Sequence, residues 1–412
     1  MNTYILLVIL MTLSATFAYI NHRFIKMPFV IGLFFLTTVL SLIVLSSKYW
    51  DVEDYALIKS AIEHTNISSL ILEIMLGFLL FAGSLHTRWS DIKSQLKPIS
   101  LFAVAGVILS TLIIAGLLYL VCALFYFPIS VIHCLIFGAL ISPTDPIAVL
   151  GILKKAKVSK KIESTIVGES LFNDGVGVVI FIALLETLQL GTDTIDFSHF
   201  GVMFMQEAIG GGIFGLILGY LLHKLLKSID DYETEVLLTI AFVMLGYALS
   251  SYLHLSGALA MVIMGMFVGN FNQNTAMSDL TQQYVHKFWE LVDVILNAVL
   301  FIIVALVLVV IDFKTEYILI GLLAVGIVLL ARVIIVYLPY YLFPKFTDIK
   351  NNEVKIIIWG GLRGGLSLAL VLSLPKSEVK EVLLIATYMC VVFSILVQGL
   401  TIGKVAKRLT RG

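Results

Sequence analysis

Oxygen-bearing side chains interrupt two long apolar stretches that follow each other in the sequence. The first interruption is residues 142–146, Ser-Pro-Thr-Asp-Pro, in which two prolines remove backbone donors and disfavour helix in the residues before them. An unwound segment of this composition offers backbone carbonyls, the Thr144 hydroxyl and the Asp145 carboxylate. Oxygen ligands without sulfur or imidazole suit a hard cation. The alternative is a proline kink in which Asp145 only caps the following half-helix.

The second interruption is residues 168–175, Gly-Glu-Ser-Leu-Phe-Asn-Asp-Gly. Helical periodicity puts Glu169 and Asn173 on one face, and Ser170 and Asp174 on the adjacent face. Ser170 and Asp174 can therefore present a hydroxyl and a carboxylate together, whereas Glu169 needs a partner of its own. A charged group in hydrocarbon costs at least about 2.5–3.5 kcal/mol. Three carboxylates in neighbouring apolar segments therefore predict a functional site.

Two arginines lie inside later apolar segments. Arg332 occurs in residues 329–333, Leu-Leu-Ala-Arg-Val, and Arg363 in residues 359–365, Trp-Gly-Gly-Leu-Arg-Gly-Gly. The four glycines around Arg363 disfavour a stiff helix, so this segment is also expected to be broken. Buried arginines are usually paired, and here they are expected to balance the buried carboxylates.

The overall composition is that of an α-helical protein that crosses a membrane many times. Hydrophobic residues make up 60% and charged residues 13%, against about 45–50% and 25% in soluble domains. This excludes a disordered chain, a coiled coil, a secreted disulfide scaffold and a soluble enzyme. Lys plus Arg and Asp plus Glu are both 27, so no basic field indicates nucleic acid. The three cysteines form no metal or disulfide pattern, and no cofactor is predicted.

The apolar pattern predicts about thirteen transmembrane helices and no soluble domain. The predicted spans are 3–20, 28–46, 67–85, 98–126, 131–153, 163–189, 200–226, 234–251, 256–271, 286–311, 316–343, 353–374 and 379–403. Residues 53–65 are too polar to span and are expected at the surface. The two broken spans, the fifth and the twelfth, run in opposite directions, as in transporters with inverted repeats and a site at the membrane midplane.

Positive charges predict the orientation of the chain. The short loop 154–161 carries five lysines, and the tail after residue 403 carries two lysines and two arginines. Both fall on the same side when thirteen spans are counted. By the positive-inside rule that side is the cytoplasm, so the C-terminus is expected inside and the N-terminus outside.

Together these motifs resemble the sodium/proton antiporters of the NhaP and eukaryotic NHE type, in the first monovalent cation:proton antiporter family. The resemblance rests on residues 142–146, 168–174, 331–333 and 360–365, and the span layout covers the whole chain. It implies ligands for the cation or proton at four residues: Thr144, Asp145, Ser170 and Asp174. It implies stabilising roles for four others: Asn173 steadies the site, Glu169 pairs with Arg332, and Arg363 lies near the crossing of the broken helices.

The resemblance also implies an architecture and a mode of exchange. A mobile core bundle, including residues 67–189 and 316–403, would move against a scaffold of the remaining spans in a homodimer of the bacterial inner membrane. The Asn173-Asp174 pair resembles the electroneutral branch, which exchanges one cation for one proton. Some family members carry an acidic residue in the third span where this chain has Ala82 and Ser84, so that ligand is absent here.

The predicted function is exchange of Na⁺ or Li⁺ for H⁺ across the membrane. K⁺/H⁺ exchange through the same site is the first alternative, and a channel or an intramembrane hydrolase using Ser170 is more remote. The hydrolase would lack a histidine or lysine base beside Ser170. Glu73, Glu290 and Asp293 are left as structural, cavity-lining or ion-binding residues.

Overall fold

The computed structural model describes residues 3–49, 51–63, 66–156, 158–189, 197–271, 278–311, 313–344 and 349–411. Lys157, one of the five lysines of the 154–161 loop, lies outside these residues. Within the described residues the chain is helical and contains no β-strand. This arrangement follows from the apolar sequence, because hydrocarbon offers no partner for a backbone polar group and a helix satisfies those groups internally.

The helices named below, all within the described residues, are six to thirty residues long. In chain order they are α1 (Thr3–Ile20), α2 (Phe29–Ser47), α3 (Val52–Glu63), α4 (Ile67–Leu85), α5 (Trp89–Ser94), α6 (Leu96–Leu124), α7 (Val131–Ile141), α8 (Ile147–Lys155), α9 (Lys160–Gln189), α10 (Phe197–Leu226), α11 (Tyr232–Tyr252), α12 (Gly257–Phe271), α13 (Asp279–Leu306), α14 (Thr315–Leu342), α15 (Asn351–Gly360), α16 (Gly365–Leu372), α17 (Glu378–Val392) and α18 (Gly399–Arg411). Short π-helical turns continue α1 (Asn21–Ile25), lie within α4 (Leu70–Met75) and α6 (Leu101–Ala105), and join α17 to α18 (Phe393–Gln398).

The predicted polytopic all-α fold is confirmed, although the count of thirteen crossings stays a prediction. Ten helices of the described chain are long and apolar enough to span a membrane, and the α15–α16 pair, bent by 43°, makes eleven. The predicted span 131–153 is divided into α7 and α8, and the predicted span 256–271 is the shorter helix α12. Residues 53–65 begin within α3, which is mostly exposed as expected.

Two interrupted helix pairs and two long helices position the predicted site. The break between α7 and α8 faces the break between α15 and α16, and α9 packs along α7. Helix α14 packs against α6 and α17, while α13 packs against α2 and α4 and also contacts α16. Residues from distant parts of the chain are thereby brought to a single region between the two breaks.

Candidate functional site

The two unwound segments cross in direct contact. The backbone N–H of Asp145 donates to the carbonyl of Leu362 at 2.8 Å. The Arg363 guanidinium reaches in the opposite direction and donates through Nη1 to the carbonyls of Ser142 and Pro143, the second at 2.9 Å. Arg363 is buried and its charge therefore needs a partner. The carbonyls at the C-terminal end of α7 supply the compensating negative charge.

Glycine is required at this crossing because the segments touch. A Cβ added at Gly364 would lie 2.6 Å from the Cβ of Asp145 and 2.8 Å from its carboxyl carbon. A Cβ at Gly361 would lie 2.9 Å from Cζ of Arg332. The glycines therefore leave room for two functional side chains, in addition to disfavouring a continuous helix.

Asn173 and Ser170 attach the first unwound segment to α9. The Asn173 side chain donates to Thr144 Oγ1 at 2.9 Å and accepts from the Thr144 backbone N–H at 3.3 Å. Ser170 Oγ donates to the Thr144 carbonyl at 2.5 Å. All three residues are buried. Thr144 and Ser170 are therefore held together between α9 and the break.

The two aspartates of the site have different environments. Asp145 Oδ1 accepts a hydrogen bond from the backbone N–H of Ile147 at 2.9 Å, so this carboxylate caps the start of α8. The capping that we gave as an alternative does occur, and it occupies one of the two carboxylate oxygens. Within the part of the chain that the structure describes, Asp174 accepts no hydrogen bond, and it lines the same cavity as Asp145.

Glu169 points away from the cavity and forms a buried ion pair. Arg332 donates to both carboxylate oxygens, Nη1 to Oε1 and Nη2 to Oε2, the second at 3.1 Å, and Nη2 also donates to the Ile357 carbonyl at 3.0 Å. The side chains of Glu169 and Arg332 are 2% and 3% exposed. This pair links α9, α14 and α15, and it neutralises one of the three predicted carboxylates.

A cavity of about 790 Å³ leads from the aspartates to one side of the protein. Near the crossing it is lined by Thr144, Asp145, Ser170 and Asp174, and at its mouth by Arg88, Asp91, Lys154, Lys160 and Glu163. The mouth contains lysines of the loop that we assigned to the cytoplasm. The site is therefore open to the lysine-rich side.

The remaining acidic residues of the prediction separate into two groups. Glu290 and Asp293, on α13, line the cavity, whereas Glu73 is exposed on α4 and is not among its lining residues. Asn297, which sequence reasoning missed, also lines the cavity one turn beyond Asp293. Its only signal in the sequence is an amide four residues after an aspartate within an apolar run. Among the described residues no three His, Cys, Asp or Glu side chains converge to hold a resident metal ion.

Comparison with known proteins gives concordant matches over almost the whole chain. The family model described as sodium/hydrogen exchanger, transmembrane, matches residues 11–408. The Na(+)/H(+) antiporter NhaP of Pseudomonas aeruginosa is 43% identical over 97% of this chain and 95% of that protein. The Na(+)/H(+) antiporter NhaH of Halobacillus aidingensis is 35% identical over 87% of this chain and 86% of that protein.

The fold also matches a solved structure. The sodium proton antiporter MjNhaP1 from Methanocaldococcus jannaschii superimposes with a TM-score of 0.77 over 98% of this chain and 97% of that chain. The sequence identity in this match is 21%, so the comparison supports the fold.

Proposed function

The chain belongs to the sodium/hydrogen exchanger family, and on that premise we propose that it exchanges Na⁺ or Li⁺ for H⁺ through Asp174. The observation that carries this proposal is the difference between Asp174 and the other charged groups at the crossing. Glu169 is paired with Arg332, Arg363 is bound to carbonyls and Asp145 caps a helix. Asp174 is left facing the cavity beside two hydroxyl oxygens.

Exchange follows from competition for one carboxylate. Burial away from water disfavours a lone charged carboxylate, and either a proton or a bound cation removes that penalty. We assign Asp174, Asp145, Thr144 and Ser170 as the oxygen ligands of a partly dehydrated Na⁺ or Li⁺. A proton on Asp174 and a cation beside it exclude each other, because protonation removes the charge that attracts the cation.

The charge arrangement favours a ratio of one cation to one proton. The Glu169–Arg332 pair is neutral in itself, and the Arg363 and Asp145 charges are engaged at helix ends. Binding one Na⁺ or one H⁺ therefore leaves the site with the same net charge. A transporter whose two loaded forms have equal charge is electroneutral.

Alternating access requires that part of the molecule moves around this site. We propose a mobile core that contains the two interrupted pairs with α9 and α14, and a scaffold that contains α10 to α13. Helix α4, part of the predicted core range 67–189, packs mainly against α12 and α13, and its place in the core stays a prediction. The open cavity then corresponds to the inward-facing state. The homodimer, the inner-membrane location and the orientation of the termini remain part of the proposal.

The experiment uses the purified protein in proteoliposomes with an internal pH-sensitive dye. Inward gradients of Na⁺, Li⁺ or K⁺ are imposed with and without a clamped membrane potential, for the wild type and Asp174→Asn. Asp231→Asn is the matched control, because Asp231 is exposed and caps α11 through the Thr234 N–H, a role that asparagine retains.

The expected result is a cation-dependent rise of internal pH that does not depend on the potential. It should disappear in Asp174→Asn and persist in Asp231→Asn. A response to K⁺ in preference to Na⁺ and Li⁺ would replace the proposed substrate with K⁺. Absence of proton movement with all three cations would refute the exchange function.

A further inference from the structure

Asn297 carries a buried oxygen that lacks a partner. The residue is 1% exposed, and its Nδ2 donates to the backbone carbonyl of Asp293 at 2.8 Å and to Asp293 Oδ1 at 3.0 Å. These two bonds fix the orientation of the amide and direct Oδ1 away from Asp293. Over the described ranges, Oδ1 finds no hydrogen-bond donor. A buried polar atom without a partner costs about 1–3 kcal/mol, so this oxygen is expected to have a ligand in the working protein.

Asn297 belongs to the same cavity as the aspartates. Asn297 and Asp293 line it from α13, whereas Asp174 lines it from α9 and Asp145 from the break between α7 and α8. Leu300, one turn beyond Asn297 on the same face, also lines the cavity.

The contact of Leu300 with the second broken helix fixes where this face of α13 points. A Cβ added at Gly365 would lie 2.7 Å from Cγ of Leu300. Gly365 is the first residue of α16, next to the crossing of the two unwound segments. Asn297 is therefore one helical turn from the crossing.

We propose that Asn297 Oδ1 is a ligand of the transported cation in the inward-facing state, directly or through one water molecule, and that Asp293 positions its amide. This inference rests on the proposed function and extends it with a ligand on α13. An amide oxygen suits Na⁺ and Li⁺ because both prefer oxygen ligands. As a neutral group it strengthens cation binding and leaves the proton form of the site unaffected. It thereby favours cation loading from this side.

The location of Asn297 makes its effect dependent on the side of the membrane. Helix α13 is part of the proposed scaffold, whereas Thr144, Asp145, Ser170 and Asp174 are part of the proposed core. When the core moves to the outward-facing state, it leaves Asn297 behind. The ligand therefore contributes to cation affinity at the lysine-rich face and is absent at the opposite face.

The test measures the apparent KM for Na⁺ and the maximal rate from each face separately, in inverted and right-side-out membrane vesicles. The variant is Asn297→Ala, which removes the oxygen. Ser110→Ala is the matched control, because Ser110 Oγ on α6 is likewise buried without a partner among the residues described but does not line the cavity.

Asn297→Ala is expected to raise the KM for Na⁺ about tenfold at the lysine-rich face. This is the change that the loss of one contact to a charged group produces. The maximal rate and the KM at the opposite face should stay within about twofold, and Ser110→Ala should match the wild type at both faces. If Asn297→Ala does not accumulate, Asn297→Ser gives the same test, since its shorter hydroxyl keeps a polar group on α13 but withdraws the oxygen.

Two results would overturn the inference while the exchange function stands. One is an unchanged KM at both faces in a variant that still exchanges. The other is an equal KM rise at both faces together with a lower maximal rate, which indicates a structural role. Failure of the proposed function is a different observation, because it is seen in the wild type as the absence of Na⁺-driven proton movement.

Discussion

The Glu169–Arg332 ion pair gives a direct test of how the site is held together. Its two charged groups are almost fully buried, and the guanidinium also donates to the Ile357 carbonyl. The perturbation is a double-mutant cycle of Glu169→Leu, Arg332→Met and the two combined. Each single change leaves one buried charge without its counter-ion, whereas the double change leaves an apolar contact of similar size.

The expected free-energy changes follow from burial. Removing one partner of a buried pair costs about 3–5 kcal/mol. Glu169→Leu should lie at the upper end, because the guanidinium that remains cannot lose its charge. Arg332→Met should lie at the lower end, because a carboxylate can bind a proton. The double variant should remain about 1–3 kcal/mol below the wild type, since the Ile357 carbonyl loses its donor. The coupling energy is then at least about 3 kcal/mol.

The assay is equilibrium unfolding in mixed micelles, followed by helical circular dichroism during titration with a denaturing detergent. Glu163→Gln is the control, because Glu163 lies on the same helix and pairs with Lys154 at 3.4 Å with the two side chains 25% and 66% exposed. An exposed pair of this kind is worth at most about 1 kcal/mol. Two results would show that the pair does not hold α9 to α14. One is a loss of unfolding free energy in each single variant no larger than that of Glu163→Gln. The other is a loss in the double variant equal to the sum of the two single losses.

Three further predictions concern the crossing of the broken helices. Gly364→Ala should lower Na⁺-driven proton transport in proteoliposomes more than about tenfold, because its Cβ would overlap Asp145. Gly326→Ala is the control and should leave transport unchanged, because a Cβ at Gly326 would meet no atom within 4 Å. Asp145→Asn should raise the KM for Na⁺ about tenfold but keep measurable exchange, because an amide oxygen still caps α8; a complete loss in folded protein would contradict this. A high-resolution density map should contain one ordered water between Arg332 Nε and Arg363 Nη2, which lack partners in the described chain and line a cavity of about 10 Å³.

The helices could be predicted because hydrocarbon allows few structures. The predicted span 98–126 is found as Leu96–Leu124, and the predicted span 163–189 lies within Lys160–Gln189. The break in the predicted span 131–153 was placed correctly by its prolines, since α7 ends at Ile141 and α8 begins at Ile147. Local composition was sufficient to predict these helix boundaries, because each segment must satisfy its own backbone groups in hydrocarbon and prolines prevent this where they occur.

The partners of the site residues could not be read from the sequence in the same way. Arg363 donates to the Ser142 carbonyl, 221 positions away, and no side chain marks which carbonyl accepts. The pairing of Glu169 with Arg332 came from the family resemblance, since spacing alone showed only that each needs a partner. Asn297 was missed because one amide in an apolar run carries no periodic signal. Its proposed role depends on an oxygen without a hydrogen-bond partner, and this can be recognised only once the helices are packed.

The crossing combines helix ends and charges in a way that explains why the unloaded site should not move. The C-terminal end of α7 carries a partial negative charge, which Arg363 offsets. The N-terminal end of α8 carries a partial positive charge, which Asp145 offsets. Asp174 receives no such compensation from the residues described, so its charge is balanced only when a proton or a cation is bound. Moving the empty site past the low-dielectric scaffold would carry an uncompensated charge, whereas either loaded form is neutral at that carboxylate. In the proposed exchange, the coupling of the two ions therefore follows from leaving Asp174 unpaired at a crossing where Glu169, Arg332, Arg363 and Asp145 each have a partner.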